Sequence, residues 1–329
     1  MKSMLKNKQV AIGLGLLALG TSASACDLCA IYTAELAEGA SGTGMYAGIS
    51  EQYTNFKDVF EDGHKIDNPA GQALDSWFTQ LAVGYRHGPW AVQGTLPYIH
   101  RKFTRQEGEV LDQGSVNGIG DTSLVASYDL VRKSSEDGFI AWQVLGGIKF
   151  ATGASGRIAE ELEEGHHDGV TANLAKHGEP ASAIHGHDLA LGSGSTDFIF
   201  GSNLRWRQQR WLGDVGFQYG IRRRGDFDYR YANEVHWNVS TGRYLKLEHD
   251  KSVAVVLNLS GEQKGEDRLA GVRASDTSSR SVLLGPALRA NFGASNAFEL
   301  GWSWRINEGN SGIQMLPDNR LRAGFTHRF

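Results

Sequence analysis

After residue 25 the sequence has no run of about 18 apolar residues, so it offers no helix able to cross a bilayer. Cysteine is nearly absent. Cys26 and Cys29 are the only two, and no further ligands sit beside them for a four-ligand zinc site. Proline numbers only six, which excludes a glycine- and proline-rich low-complexity chain despite the 42 glycines. Excess charge of one sign is missing too. The net charge of −4 gives no reason to expect nucleic acid as a partner.

What is present begins with a signal peptide over 1–25. Lys2, Lys6 and Lys8 form its charged region, Val10 to Gly20 its apolar stretch, and Ala23-Ser24-Ala25 its cleavage site. A lipoprotein site before Cys26 is the alternative to ordinary cleavage, but Ala23 stands where a leucine is usual. Residues 26–42 hold the only helix-like piece. Cys29, Ala30, Ala34, Leu36 and Ala37 alternate with Glu35 and Glu38, and Gly39 and Gly42 end it.

From residue 43 onward the pattern is strands. Twelve are expected, near 43–55, 74–87, 89–103, 119–132, 138–151, 195–208, 210–224, 231–245, 251–264, 279–293, 296–307 and 319–329. Ile140, Trp142, Val144, Gly146, Ile148 and Phe150 share a face, as do Trp211, Gly213, Val215, Phe217, Tyr219 and Ile221. Trp90 to Tyr98, Val253 to Leu259 and Phe298 to Ile306 repeat the rule. The opposite faces carry Gln93, Lys149, Asp214, Gln218, Arg222, Asn258, Glu299 and Arg305. A soluble sandwich would bury apolar side chains there. Apolar residues toward lipid and polar residues toward a lumen fit the pattern instead. A chain that spans a membrane without helices must close its sheet, because lipid cannot satisfy open backbone groups.

The last stretch, Leu321 to Phe329, alternates up to a terminal aromatic residue. This resembles the closing strand of bacterial outer-membrane barrels. Short and long links alternate along the chain, as periplasmic turns and external loops do. The link at 225–230 is the exception. Tyr53, Phe56, Trp77, Tyr85, Trp90, Tyr98, Trp206, Trp211, Tyr229 and Tyr231 lie near strand ends and are expected to form interfacial girdles.

Three pieces carry a resemblance: Leu96-Pro97-Tyr98-Ile99-His100-Arg101, Gly118-Ile119-Gly120-Asp121-Thr122-Ser123-Leu124 and Gly192-Ser193-Gly194-Ser195-Thr196-Asp197-Phe198. They are similar to an outer-membrane family associated with the meta pathway of phenol degradation. That resemblance implies a transporter-like barrel that passes small molecules. The His-rich loop and the cysteine pair depart from the family pattern and put an aromatic substrate in doubt.

Three constellations stand out. Cys26-Asp27-Leu28-Cys29 lacks the histidine of a haem attachment site, since Ala30 follows. A small-ring disulfide, thiol exchange or transfer of a soft metal, and lipidation of Cys26 remain as readings. The link 152–194 holds His166, His167, His177, His185 and His187, five of eleven histidines, among Glu160, Glu161, Glu163, Glu164, Asp168 and Asp188. Imidazole beside carboxylate suits divalent Zn, Cu, Ni or Fe. A solvated acidic loop is the plain alternative. Asp129, Lys149, Asp197, Arg205, Asp214, Arg222, Arg289, Glu299, Arg305 and Arg322 form an inward row of mixed sign. They either set ion selectivity or pair across a narrow lumen.

Arg222-Arg223-Arg224 ends a strand at the external rim, where lipopolysaccharide phosphates are possible partners and a solvated strand end is the alternative. Catalysis has little support. His236 and Ser240 share a face but stand four residues apart, too far for nucleophile and base. The expected fold is therefore all-β. It is a transmembrane antiparallel β-barrel of about twelve strands over 43–329, in the outer membrane, preceded by a short helical or coil segment at 26–42. The expected function is a transporter-like channel for a small solute or metal ion. The alternative is a closed barrel that binds metal and docks a periplasmic protein at its cysteine segment.

Overall fold

Alternating side chains, glycine-rich strands and short turns close one sheet on itself. The computed structural model describes residues 43–108, 110–165, 182–248 and 250–329. Twelve antiparallel strands form the wall: β1 Gly44–Phe56, β2 Ala73–His87, β3 Trp90–Glu107, β4 Ser123–Ser134, β5 Gly138–Lys149 and β6 Asp197–Gln208, then β7 Trp211–Ile221, β8 Glu234–Leu247, β9 Lys251–Lys264, β10 Ser279–Phe292, β11 Asn296–Asn310 and β12 Asn319–Arg328. Each pairs with its sequence neighbours, and β12 pairs with β1 from Tyr46↔Arg328 to Asn55↔Asn319. No edge is left in the wall, as a lipid-spanning sheet requires.

The register places the two faces as the alternation requires. On β2, Leu81, Val83 and Tyr85 are exposed on the outside, while Gln80, Ala82 and Arg86 are buried on the inside. Trp142, Val215, Phe217, Val255, Leu257, Leu300 and Trp302 are likewise exposed. So much outward apolar surface is a liability in water and is the lipid belt of a barrel. Tyr53 and Trp77, with ring centroids 5.1 Å apart, mark its external rim. Tyr85, Trp90 and Trp211 mark the periplasmic rim beside the short turns.

Three of the expected girdle aromatics face the other way. Phe56 falls on the inward register of β1 and is buried. Tyr229 and Tyr231 lie in the link after β7 and are buried inside the mouth.

Two links also differ from expectation. Residues 104–118 are not a loop: β3 continues to Glu107 and the chain returns as a strand, Val110–Ile119, paired from Glu107↔Val110 to Tyr98↔Ile119. This hairpin stands above the membrane, where neither face must be apolar. Lys102, Thr104, Gln113 and Ser115 therefore give no alternation to read. The link expected at 225–230 is longer, because β7 ends at Ile221 and β8 starts at Glu234. Arg222 turns out of the ladder there, its backbone N–H donating to Asn233 Oδ1 at 2.9 Å. Every external link is then longer than every periplasmic turn.

A plug across the external mouth as the candidate functional site

The long link between β5 and β6 does not extend away from the barrel. Its described parts, 150–165 and 182–196, lie across the external mouth. They carry two short helices, α1 Glu160–Gly165 and α2 Gly186–Leu189. Ala183, Ile184 and Leu189 pack in one buried cluster with Phe56, Val59, Leu74, Phe103 and Met315. On the opposite side of the ring Ile158 and Ala190 pack with Tyr229 and Tyr231. The segment therefore touches β1, β2 and β3 on one side and the β7–β8 link on the other. It is a plug.

Both ends of the plug are fastened at one carboxylate. The return strand stops at Ile119 and β4 starts at Ser123, which leaves Asp121 in the break. Its Oδ1 accepts the Gly153 N–H at 3.0 Å, and its Oδ2 accepts the Ser193 N–H and hydroxyl, each at 2.9 Å. The Lys149 ammonium pairs with the same carboxylate and lies 2.9 Å from Asp197. Arg222 continues the buried chain of charge to Asp197, at 2.8 Å, and to Glu234. At this crossing Gly153 and Gly192 approach closely. A Cβ on Gly192 would sit 2.5 Å from the Gly153 carbonyl, so neither position tolerates a side chain.

The far end of the plug is latched by other groups. Arg101, 1% exposed on the inner face of β3, donates to the carbonyls of Asp188 and Ala190, the latter at 2.9 Å. The Tyr231 hydroxyl donates to the His187 carbonyl at 3.0 Å. Met315 N–H donates to the Ala183 carbonyl, and Ala183 N–H donates to Gln72 Oε1. Arg105 clasps Glu160 at 2.9 Å. Inside the plug, His187 Nδ1 lies 2.9 Å from Glu161 Oε1, which also accepts the His187 N–H. Burial pulls the His187 imidazole down, but the Asp188 and Glu161 carboxylates outweigh it and hold its pKa at about 10. Burial pushes Glu161 up, yet the charge and hydrogen bond of His187 draw it down to about 2. The plug thus holds a buried imidazolium–carboxylate pair.

His185 and His187 are both buried within the plug. They stack on each other, with ring centroids 5.6 Å apart, and His187 stacks on Tyr229. Among the described residues no three His, Cys, Asp or Glu side chains are arranged to hold a metal ion. His166, His167 and His177 lie outside the described residues, and so do Cys26, Cys29 and the segments 1–25 and 26–42.

Most of the inward row of charges resolves into ion pairs. Asp129 binds Arg86 at 2.7 Å and Arg132 at 3.0 Å. Asp214 binds Arg289 at 2.7 Å, and Arg289 binds Glu299 at 2.8 Å. Arg305 meets Asp58 at 3.1 Å and Asp318 at 2.9 Å, and Arg322 donates to Gln52 at 2.8 Å. Arg205 sits on the same inner face, opposite Asp214. The contact from β7 to β10, Asp214 to Arg289, runs as a chord across the lumen. So does the pair Arg320–Glu262, from β12 to β9. His236 and Ser240 stay apart: Ser240 donates to Asp214, and His236 lies 3.6 Å from Glu234. Sequence reasoning missed Arg86, Arg101, Asp121, Glu262 and Arg320. Arg101 and Asp121 stand in the family-like stretches and were findable there. The others were visible only as inward positions on alternating strands.

Residues 182–314 match the model of the family described as "Putative MetA-pathway of phenol degradation". No curated protein matches the chain. Among solved structures, an outer membrane channel from Pseudomonas putida is similar over 91% of this chain and 100% of that one, at 14% identity and a TM-score of 0.62. The beta domain of a Bordetella autotransporter matches over 88% of this chain and 100% of that one, at 12% identity and 0.44. A Pseudomonas aeruginosa FadL homologue matches over 87% and 90%, at 10% identity and 0.34. The first similarity identifies the fold as that of a bacterial outer-membrane barrel, in agreement with the apolar belt. The three family-like stretches meet at the plug: Arg101 latches it, and Asp121 fastens its ends with Ser193 and Asp197.

Proposed function

We propose that this protein is an outer-membrane channel for a small, largely apolar solute, and that the plug governs entry from outside. One observation carries the reading: a buried apolar seam, Phe56, Leu74, Phe103, Ile184, Leu189 and Met315, lines the contact between plug and wall. Shifting the plug would present this seam to an entering solute, beside the arginines and the carboxylate that fasten it. The lumen charges are paired with one another, which leaves little free field to select an ion. The similar Pseudomonas putida protein is described as a channel, and the matched family is described by phenol degradation. The first supports a channel, and the second supports a small aromatic compound as the solute class.

The test is uptake of labelled phenol or benzoate at low concentration by intact cells with and without the gene. Several-fold slower uptake without it is expected, together with low ion conductance of the purified protein in planar bilayers. Equal uptake, or a large steady ion conductance, would sink the proposal. Closure of the mouth also favours a second reading, a closed barrel that binds metal. Zinc or copper titration of a variant with His166, His167 and His177 changed to Ala tests it without disturbing the His187 pair. Undiminished binding by that variant would remove His166, His167 and His177 from this reading.

A further inference from the structure

Beside the plug stands a small external sheet of three strands, Tyr229–Arg230, Asp267–Leu269 and Val272–Ala274. Its register sets Arg230 opposite Arg268 and Arg268 opposite Arg273. Directly opposite residues of an antiparallel pair share a face, so the three arginines form a row on one face of this sheet. Like charges so placed repel, and the fold would gain by replacing them. Neutralisation within the chain is slight. Arg268 is exposed, and Arg273 reaches Glu266 only at 3.5 Å with its side chain 70% exposed. Arg230 donates through Nε to the Arg222 carbonyl, which fixes its position without cancelling its charge.

The scaffold under this row is rigid. On the opposite face Tyr229 is buried and Leu269 packs with it against Ile158, Ala190 and Tyr231. The Tyr229 hydroxyl donates to the Asp267 carboxylate, which also pairs with Lys264 at 2.6 Å. Because that face packs inward on the plug, the arginine face points away from the barrel axis. Its height follows from the chain. Arg268 is four residues beyond Lys264, the end of β9, and Trp237 lies over Gly261 on the outer wall just below. The row therefore stands on the external side of the apolar belt, beyond the end of β9, on the side of the outer leaflet.

We propose that Arg230, Arg268 and Arg273 form a binding site for the phosphates of an outer-leaflet glycolipid. Arginine suits this role because its planar fork binds phosphate oxygens in pairs. Two adjacent phosphates on one glycolipid would offset the repulsion within the row. The site is separate from the plug and does not depend on which solute the channel passes.

The experiment uses the full-length protein in detergent at about 0.1 M salt, where exposed charges still act over ~10 Å. Diphosphoryl lipid A, the same lipid stripped of phosphate, and inorganic phosphate are titrated against wild type and the triple variant Arg230→Gln, Arg268→Gln, Arg273→Gln. The Gln variant should bind diphosphoryl lipid A at least about tenfold more weakly, a loss of ~1.4 kcal/mol. The stripped lipid should not distinguish the two proteins. A triple Lys variant should fall between them. Migration as a compact species in unboiled gels shows that each variant is folded. Equal binding of diphosphoryl lipid A by wild type and the Gln variant would overturn the proposal. Competition by inorganic phosphate at the same concentration as lipid A would overturn the glycolipid assignment and make the row a site for free phosphate.

Discussion

Asp121 is the residue on which the plug turns. One carboxylate accepts three hydrogen bonds from the two ends of a long segment and pairs with Lys149 besides. An amide of the same shape offers one acceptor oxygen and brings two unwanted donors. Asp121→Asn should therefore loosen the plug by roughly 1–3 kcal/mol, the usual cost of leaving buried polar groups unpaired. Amide exchange over 182–195 should accelerate about tenfold or more. Exchange in β9 to β11 should hold at the wild-type rate. Uniform acceleration throughout the barrel would show Asp121 to be a general support of the fold. The sequence displays this residue inside Gly118-Ile119-Gly120-Asp121-Thr122-Ser123-Leu124 but says nothing of its partners. Ser193 is 72 residues away, and only the closed ring brings the two stretches together.

At the scale of the element, the plug is a loop that behaves as a small domain. It has an anchor at Asp121, a latch at Arg101 and Tyr231, and a buried ion pair. Little of it was legible. Its helices span only 6 and 4 residues, too short for a readable period. Its anchors come from distant strands: Arg101 reaches a carbonyl 89 residues on. Histidines beside carboxylates suggest metal ligands, and in the plug His187 pairs with Glu161 and lies beside Asp188. The pKa shifts set how that pair, and with it the plug's own packing, responds to pH. The His187 value is raised from 6.5 to about 10, so its contribution is full below 6.5 and is lost as pH rises through 10. The Glu161 value is lowered from 4.5 to about 2, so the contribution is full above 4.5 and is lost as pH falls through 2. The docked plug should be firmest between these limits. Openings seen as conductance steps in planar bilayers should be rare near pH 6 and increasingly frequent from roughly pH 8 to 10. Glu161→Gln should raise the frequency near pH 6 and flatten its alkaline rise. A wild-type opening rate indifferent to pH across that range would show that the pair does not keep the plug in its docked form.

At the scale of the whole molecule, the barrel was the legible part, because its physics is periodic. Ile140 to Phe150 and Trp211 to Ile221 alternate because one face meets lipid and the other the lumen. That constraint acts on every second residue. It fails where membrane no longer acts on the chain, at the hairpin above Tyr98 and Ile119 and at the turn of Arg222. The closing strand gives the sharpest test of the reading. Phe329 is 76% exposed, its N–H donates to the Met45 carbonyl at 3.0 Å, and its ring meets His327 edge-on at 4.8 Å. Phe329→Ala keeps that backbone bond and removes a side chain that buries little. Barrel stability after refolding in detergent should therefore change by no more than about 0.5 kcal/mol. Yet an exposed aromatic just beyond β12, the strand that joins β1, is well placed to be read during assembly, before closure, when that strand is still open. Insertion in cells should fall several-fold, seen as less of the compact species in unboiled outer-membrane samples. Equal losses in refolded stability and in cellular insertion would make Phe329 an ordinary structural residue. Normal insertion would remove the terminal aromatic from the assembly argument and leave closure to the β1–β12 pairing alone.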